Sequence, residues 1–270
     1  LVFLGSQISL VGFSLEPINI LGFQYVFNFP ADIITIIWIV ALMNFINWVG
    51  GIDALNGSIT SIALFTVIIL VFTSRNPVGL ALTRFIALYL GSVLGVLPYN
   101  YHPSKIFYGS VGDYLNGYLL AIFAILTGTK WSTTLILLAL PIIDAIFVIF
   151  IRFRDHPEVR KNPLKILNIS DKNHLHHRLL AAGYGHKTVT LIEVCIMVIV
   201  CTIAITLSST RQEIAALAIG WTVILVVFTI IYFIKKRKDK NEKMRKFIDT
   251  KLAKEAKKDA IVKVIFKDEE

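Results

Sequence analysis

The chain has 270 residues, a formal net charge of +9, two cysteines and 56% hydrophobic residues, with a mean hydropathy of +0.71. Soluble domains are about 45–50% apolar; here the excess is gathered in long runs, so the chain reads as an integral membrane protein and not a soluble one. The positive charge lies in two blocks that flank apolar runs, Arg152–Lys187 and Lys235–Lys267, which fits orientation in a bilayer and argues against nucleic acid as a partner.

A membrane-crossing helix needs ~20 apolar residues. In chain order the candidates are Leu1–Phe13, Ile33–Trp48, Ile59–Thr73, Pro77–Leu97, Gly112–Thr127, Ser132–Ile151, Thr188–Leu207 and Glu213–Ile234. The expected fold class is therefore all-α, a polytopic transmembrane bundle of about eight spans. The chain opens without Met inside an apolar run, "LVFLGSQISLVGF", so the N-terminal helices are expected to be missing. Residues 1–234 form the expected membrane domain and 235–270 a basic tail. In the tail Met244, Phe247, Ile248 and Leu252 recur at helical spacing. That pattern suits an amphipathic helix on anionic lipid; a partly disordered charged tail is the alternative. Cys195 and Cys201 share one apolar run with no metal or redox spacing, as packing residues do.

Basic loops face the cytoplasm. The stretch "KKRKDKNEKMRK" after Ile234 sets the last side, and counting back by pairs of spans puts Arg152–Lys187, Pro98–Val111 and Val49–Ser58 there too. The opposite connections Ser74–Asn76, Gly128–Trp131 and Ser208–Gln212 carry one basic residue each, and Leu15–Pro30 carries none. The same alternation gathers the segments rich in Asn, Asp and His on the cytoplasmic side, where a water-borne donor can meet a lipid-borne acceptor.

Three segments carry the chemistry. In "NFINWVGGIDALNG", Asn44 and Asn47 are three apart and share a helix face; Gly50 and Gly51 then break the helix before Asp53. A glycine C-cap with a solvated Asp is one reading, a polar wall for sugar or nucleotide the other. In "PSKIFYGSVGDYLNGYLLA", Lys105 is a cytoplasmic cation and Asp113 opens the next helix. As a helix cap Asp113 complements the dipole; as a ligand it faces magnesium on a diphosphate. In "KNHLHHRLL", His174, His177 and Arg178 fall on one face if helical, with His176 beside them. Zinc chemistry lacks supporting Cys or acidic partners at useful spacing, and a lipid patch is better served by Lys or Arg. A diphosphate or leaving-group site fits best, because Arg binds phosphate oxygens bidentately and His adds donors. Arg84 and Asp144 are charges inside apolar runs and need a partner or a cavity; a direct pair between them is one option.

In this order and on one side, the three segments resemble the polyprenyl-phosphate N-acetylhexosamine-1-phosphate transferases, glycosyltransferase family 4, which includes the phospho-MurNAc-pentapeptide transferases. "KNHLHHRLLAAGYGHKTV" resembles the family's His-x-His-His-Arg-Leu loop. The asparagine segment resembles Asn-x-x-Asn-x-x-Asp-Gly-x-Asp-Gly, and "PSKIFYGSVGD" resembles Pro-Ala-Lys-x-Phe-x-Gly-Asp-x-Gly-Ser. The resemblance covers about Ser6 to Leu207.

It implies transfer of a sugar-1-phosphate from a UDP-N-acetylhexosamine to polyprenyl phosphate, releasing UMP, with Mg2+ or Mn2+ as cofactor. The setting is a prokaryotic plasma membrane and the start of surface-glycan or peptidoglycan synthesis; a homodimer is possible. On this resemblance Asp53 and Asp113 are catalytic, Asp113 also the metal ligand. Asn44, Asn47, Lys105, His174, His176, His177 and Arg178 bind substrate. Departures from the pattern include three positions: Gly50 stands where the first motif aspartate is expected, Ser110 where the metal-binding aspartate is expected, and Asp113 in place of the terminal Ser. A relative that binds nucleotide-sugar or polyprenyl phosphate without turnover is the alternative function. A transporter gated by its histidines is the third, weakened by the lack of internal symmetry.

Overall fold

A computed structural model describes residues 13–14, 18–20, 23–25, 28–74, 77–127, 131–162, 165, 173–206, 215, 218–234, 237, 241 and 244. The chain is a helical bundle preceded by two short antiparallel ladders. In the first ladder β1 (Phe13–Ser14) pairs with β4 (Asn28–Phe29); in the second, β2 (Ile18–Ile20) pairs with β3 (Phe23–Tyr25). Of the expected first span, Leu1–Phe13, only Phe13 is described, and it is extended and paired with Phe29.

The helices are α1 (Ala31–Val49), α2 (Leu55–Ser74), α3 (Pro77–Asn100), α4 (Gly109–Leu126), α5 (Trp131–Leu137), α6 (Ala139–Asp155), α7 (Pro157–Lys161), α8 (Leu175–Ala181) and α9 (His186–Thr206), followed by α10 (Ala218–Ile234). Among the described residues five helices, α1, α2, α3, α4 and α9, are long and apolar enough to cross a membrane, and α10 is a shorter apolar one. The stretch expected as one span, Ser132–Ile151, is two helices broken at Leu138. Pro141 has no N–H to give the Leu137 carbonyl four residues back, which accounts for the break. The expected tail helix lies outside the described residues apart from Arg237, Asn241 and Met244, each helical.

Bilayers offer little hydrophobic drive between helices, so close packing and hydrogen bonds hold such bundles together. Helix α1 runs against α4. A Cβ at Gly117 of α4 would stand 2.6 Å from the Met43 Cα and 2.7 Å from the Leu42 carbonyl oxygen of α1, so only glycine permits that approach. Helix α2 is the most enclosed of the long helices, packed by α3, α4 and α9. A polar chain ties four helices, α3, α4, α2 and α1. Tyr89 Oη donates to Asn116 Oδ1 at 2.5 Å, and Asn116 Nδ2 donates to Asn56 Oδ1 at 2.7 Å. Asn56 Nδ2 then donates to the Ile46 carbonyl at 2.8 Å, satisfying a carbonyl that the end of α1 leaves without an intrahelical donor.

Asp144, on α6, is buried and is taken by His174, whose Nδ1 lies 2.7 Å from Asp144 Oδ2, while the Leu175 N–H donates to Oδ1 at 2.8 Å. The carboxylate thus caps α8, supplying the acceptor its first turn needs. Arg84 stands exposed on α3, and among the described residues no carboxylate pairs with it; Asp144 is committed elsewhere.

Candidate active site

The polar residues meet at the end of the bundle where α1 turns into α2, α3 loops into α4, and α8 precedes α9. A cleft of about 250 Å³ opens there, lined by residues of the 50–56 turn, by Asn100, and by the Phe107–Asp113 approach to α4.

Asn100 builds the turn. Its Oδ1 accepts the Ala54 N–H at 2.9 Å and its Nδ2 donates to the Ile106 carbonyl at 2.8 Å. Ala54 has φ +63°, a left-handed conformation that costs an ordinary L-residue about 1–2 kcal/mol, so the buried amide helps hold a strained turn. Asp53 is clasped from the other side. His102 Nδ1 lies 2.7 Å from Asp53 Oδ2, Ser104 Oγ donates to Oδ1 at 2.9 Å, and the Ser104 N–H donates to Oδ2 at 3.2 Å. Burial alone would raise the Asp53 carboxyl, but the hydrogen bonds from His102 and Ser104 outweigh it and hold it below the ordinary aspartate value. Asp53 is thus ionised at neutral pH. The His102 ring also stacks on His186 at 4.7 Å and 4°, and Thr190 Oγ1 donates to the Asp53 carbonyl at 3.2 Å. The turn, the α3–α4 loop and the start of α9 are therefore one assembly.

Asp113 lies one turn into α4, 8% exposed, and does not cap that helix, whose N-cap residue is Tyr108. Its carboxylate faces Gly50 and, among the described residues, accepts no hydrogen bond. Ser110 is exposed on the same cleft wall.

The histidine segment lies behind the glycine pair. His176 is 1% exposed, with Nε2 against Gly51 and no hydrogen-bond partner. Burial, with His177 and His174 beside it, pushes its imidazole down to about 3, so it is neutral at neutral pH. The His176 ring is 4.3 Å from His177 and stacks on His174 at 5.7 Å. Arg178 Nε donates to the Asn173 carbonyl at 2.7 Å, and its guanidinium lies 4.1 Å over the Phe147 ring. His174 also touches Trp48 at the end of α1.

Of the residues singled out from sequence, Asp53 and Asp113 line the cleft, and His174, His176, His177 and Arg178 cluster behind the turn. Asn44, Asn47 and Lys105 do not line it. Asn44 Nδ2 turns back to the Val40 carbonyl at 2.7 Å, the Asn47 carbonyl accepts the Gly50 N–H at 3.0 Å, and Lys105 is exposed on the neighbouring loop. Sequence reasoning passed over Asn56, Asn100, His102 and Ser104. Their signal was available: polar residues beside helix ends, three of them next to a Gly or Pro and Asn100 two residues from Pro98.

Among the described residues no three His, Cys, Asp or Glu side chains converge into a metal cage. Magnesium, however, usually keeps its waters and binds through one or two carboxylates plus substrate phosphates. The Asp113 carboxylate on the cleft wall, without a hydrogen-bond donor, fits an ion of that kind.

A multi-spanning helical protein with an Asn/Asp/His site at one end of its bundle is the class these observations define. Residues 1–128 match the profile of glycosyl transferase family 4. The chain is 32% identical over 209 residues to a probable undecaprenyl-phosphate N-acetylglucosaminyl 1-phosphate transferase of Bacillus subtilis, covering 75% of this chain and 53% of that protein. It is 28% identical over 230 residues to a decaprenyl-phosphate N-acetylglucosaminephosphotransferase of Mycobacterium leprae, covering 76% and 55%. A phospho-N-acetylmuramoyl-pentapeptide-transferase of Limosilactobacillus reuteri is 32% identical over 102 residues, covering 37% and 32%. The chain belongs to glycosyl transferase family 4. It spans about half the length of the first two of these relatives.

Proposed function

We propose that this protein transfers an N-acetylhexosamine-1-phosphate, N-acetylglucosamine-1-phosphate first among them, from a UDP-sugar to a polyprenyl phosphate and releases UMP. The observation that carries this reading is the convergence of the Gly50–Asp53 turn, the α3–α4 loop and the 173–178 segment around one end of the bundle, in a chain whose relatives bear the names of such transferases.

An oxygen of the lipid phosphate forms a bond to the sugar-bearing phosphorus. The bridging P–O bond breaks, and UMP leaves with its electron pair. Exchange between two phosphates asks for charge neutralisation and in-line placement more than for a covalent intermediate. His177, Arg178 and Lys105 are the donors assigned to the diphosphate and to leaving UMP; Asn44 and Asn47, assigned from sequence to the donor sugar, stand outside the cleft lining and act through the end of α1 that carries Gly50. His174 and His176 hold the segment in place, His174 through Asp144 and His176 as a neutral ring under Gly51. Asp53 acts as a positioning residue, because its oxygens are already occupied by His102 and Ser104. Mg2+, or Mn2+ in its place, would be held by Asp113 and by diphosphate oxygens, with Ser110 adjacent, and would neutralise diphosphate charge.

The polar end is assigned to the cytoplasmic face of a prokaryotic plasma membrane on the basic-loop rule, with the tail on anionic lipid and a homodimer as one possible assembly. Membranes carrying the protein should release UMP only when both UDP-N-acetylglucosamine and polyprenyl phosphate are supplied, and Asp113→Asn should remove most of that release. Release without the lipid phosphate, or none at all from folded protein, contradicts the reading; nucleotide-sugar binding in the latter case would instead support a binder without turnover.

A further inference from the structure

Gly50 has φ −66° and ψ 9°, a conformation that any L-residue adopts. Backbone freedom is therefore not why a glycine stands there. A Cβ built on Gly50 would overlap Asp113 Oδ2 and lie 2.8 Å from Asp113 Cγ. Gly51 likewise has no positive φ, and its Cβ would overlap His176 Nε2 and lie 3.0 Å from Cε1. Two buried polar side chains, from α4 and α8, thus press on a glycine pair that has no side chains of its own. Both Gly50 and Asp113 line the cleft. Asp113 is buried and, among the described residues, accepts no hydrogen bond, so space rather than bonding fixes where its carboxylate rests.

We propose that Gly50 is the seat of the Asp113 carboxylate, so that positions 50 and 113 form one unit admitting a single side chain, through which the cleft takes its carboxylate from α4 across the gap in the α1–α2 turn. Any side chain at 50 evicts Asp113 from the phosphate-facing wall. A carboxylate supplied from position 50 then serves only if position 113 is cut back. The activity arm of this inference rests on the transferase reading above; the structural arm does not.

The test is a double-mutant cycle in the full chain, purified in detergent, with G50A, D113S, G50A/D113S, G50D and G50D/D113S. The readouts are the thermal unfolding midpoint and UMP release. G50A should lower the midpoint by several degrees in the parent but by less than half as much in the D113S background, because the collision is gone. Release should fall about a hundredfold in G50A, as expected when a group beside the reacting atoms is displaced by about 1 Å. G50D/D113S should be at least about tenfold faster than G50D or D113S alone. Equal midpoint losses from G50A in both backgrounds, or a G50A protein with parental midpoint and rate, would overturn the proposal. If the parent itself releases no UMP, the transferase reading falls, and the midpoint cycle still decides whether the two positions are coupled.

Discussion

Protonating His176 should loosen the fold, because its imidazole is buried beneath Gly51 with Nε2 unpartnered and two further histidines alongside. In the unfolded chain a histidine takes up a proton near pH 6.5; folded, His176 does so only near about 3. Between those values the unfolded state binds more protons, so stability falls as pH falls through that window and the neutral ring's contribution is whole above it. From 6.5 to a working pH of about 5 is roughly 1.5 units, and at about 1.4 kcal/mol per unit the loss is on the order of 2 kcal/mol. For a chain of this size that corresponds to about 4–8 °C in the unfolding midpoint. Differential scanning fluorimetry in detergent at neutral pH and near pH 5 measures it, with His176→Asn as the control. The parent should lose those degrees on acidification and the variant clearly fewer. An equal acid loss in both proteins would refute the reasoning.

Three other outcomes follow from the geometry. Ala54→Gly should stabilise the protein by roughly 1 kcal/mol, relieving a left-handed alanine at the expense of one buried methyl; an unchanged or lower midpoint contradicts the strain argument. Asn116→Leu should cost about 1–3 kcal/mol by stranding the Tyr89 hydroxyl and Asn56 inside the bundle, with Tyr89→Phe in the same background recovering part of the loss in midpoint. Asp144→Asn should weaken the capping of α8 and lower UMP release more than it lowers the midpoint, since the carboxylate positions His174 and the start of the histidine segment; equal release at equal fold content would remove that role.

The helices were legible because a crossing needs an uninterrupted apolar run, and α1, α2, α3, α4 and α9 begin and end within a few residues of the runs that announce them. The split of α5 from α6 was foreshadowed by Pro141, yet hydropathy does not fall there, so length alone joined the two. The Tyr89–Asn116–Asn56 chain was invisible because its members lie far apart in sequence, 60 positions in the case of Asn56 and Asn116. The three motif segments were legible by composition and by counting spans. Their mutual contacts were not: the Asp53–His102 pair, the Asn100 brace under Ala54, and the burial of His176 depend on loop geometry that no periodicity encodes. Gly50 and Asp113 read from sequence as two separate departures from a motif. In space the carboxylate of one fills the gap left by the other.

The most direct measurement of the central claim follows phosphorus. UDP-N-acetylglucosamine radiolabelled at its sugar-bearing phosphate, and separately at the phosphate attached to uridine, is incubated with membranes carrying the protein and polyprenyl phosphate, and the lipid and aqueous phases are counted. The account predicts that the sugar-bearing phosphorus enters the lipid phase while the uridine phosphorus stays in water as UMP, with both movements lost in Asp113→Asn. Label from the sugar-bearing phosphate remaining wholly in water, with active relatives run alongside as controls, would contradict it.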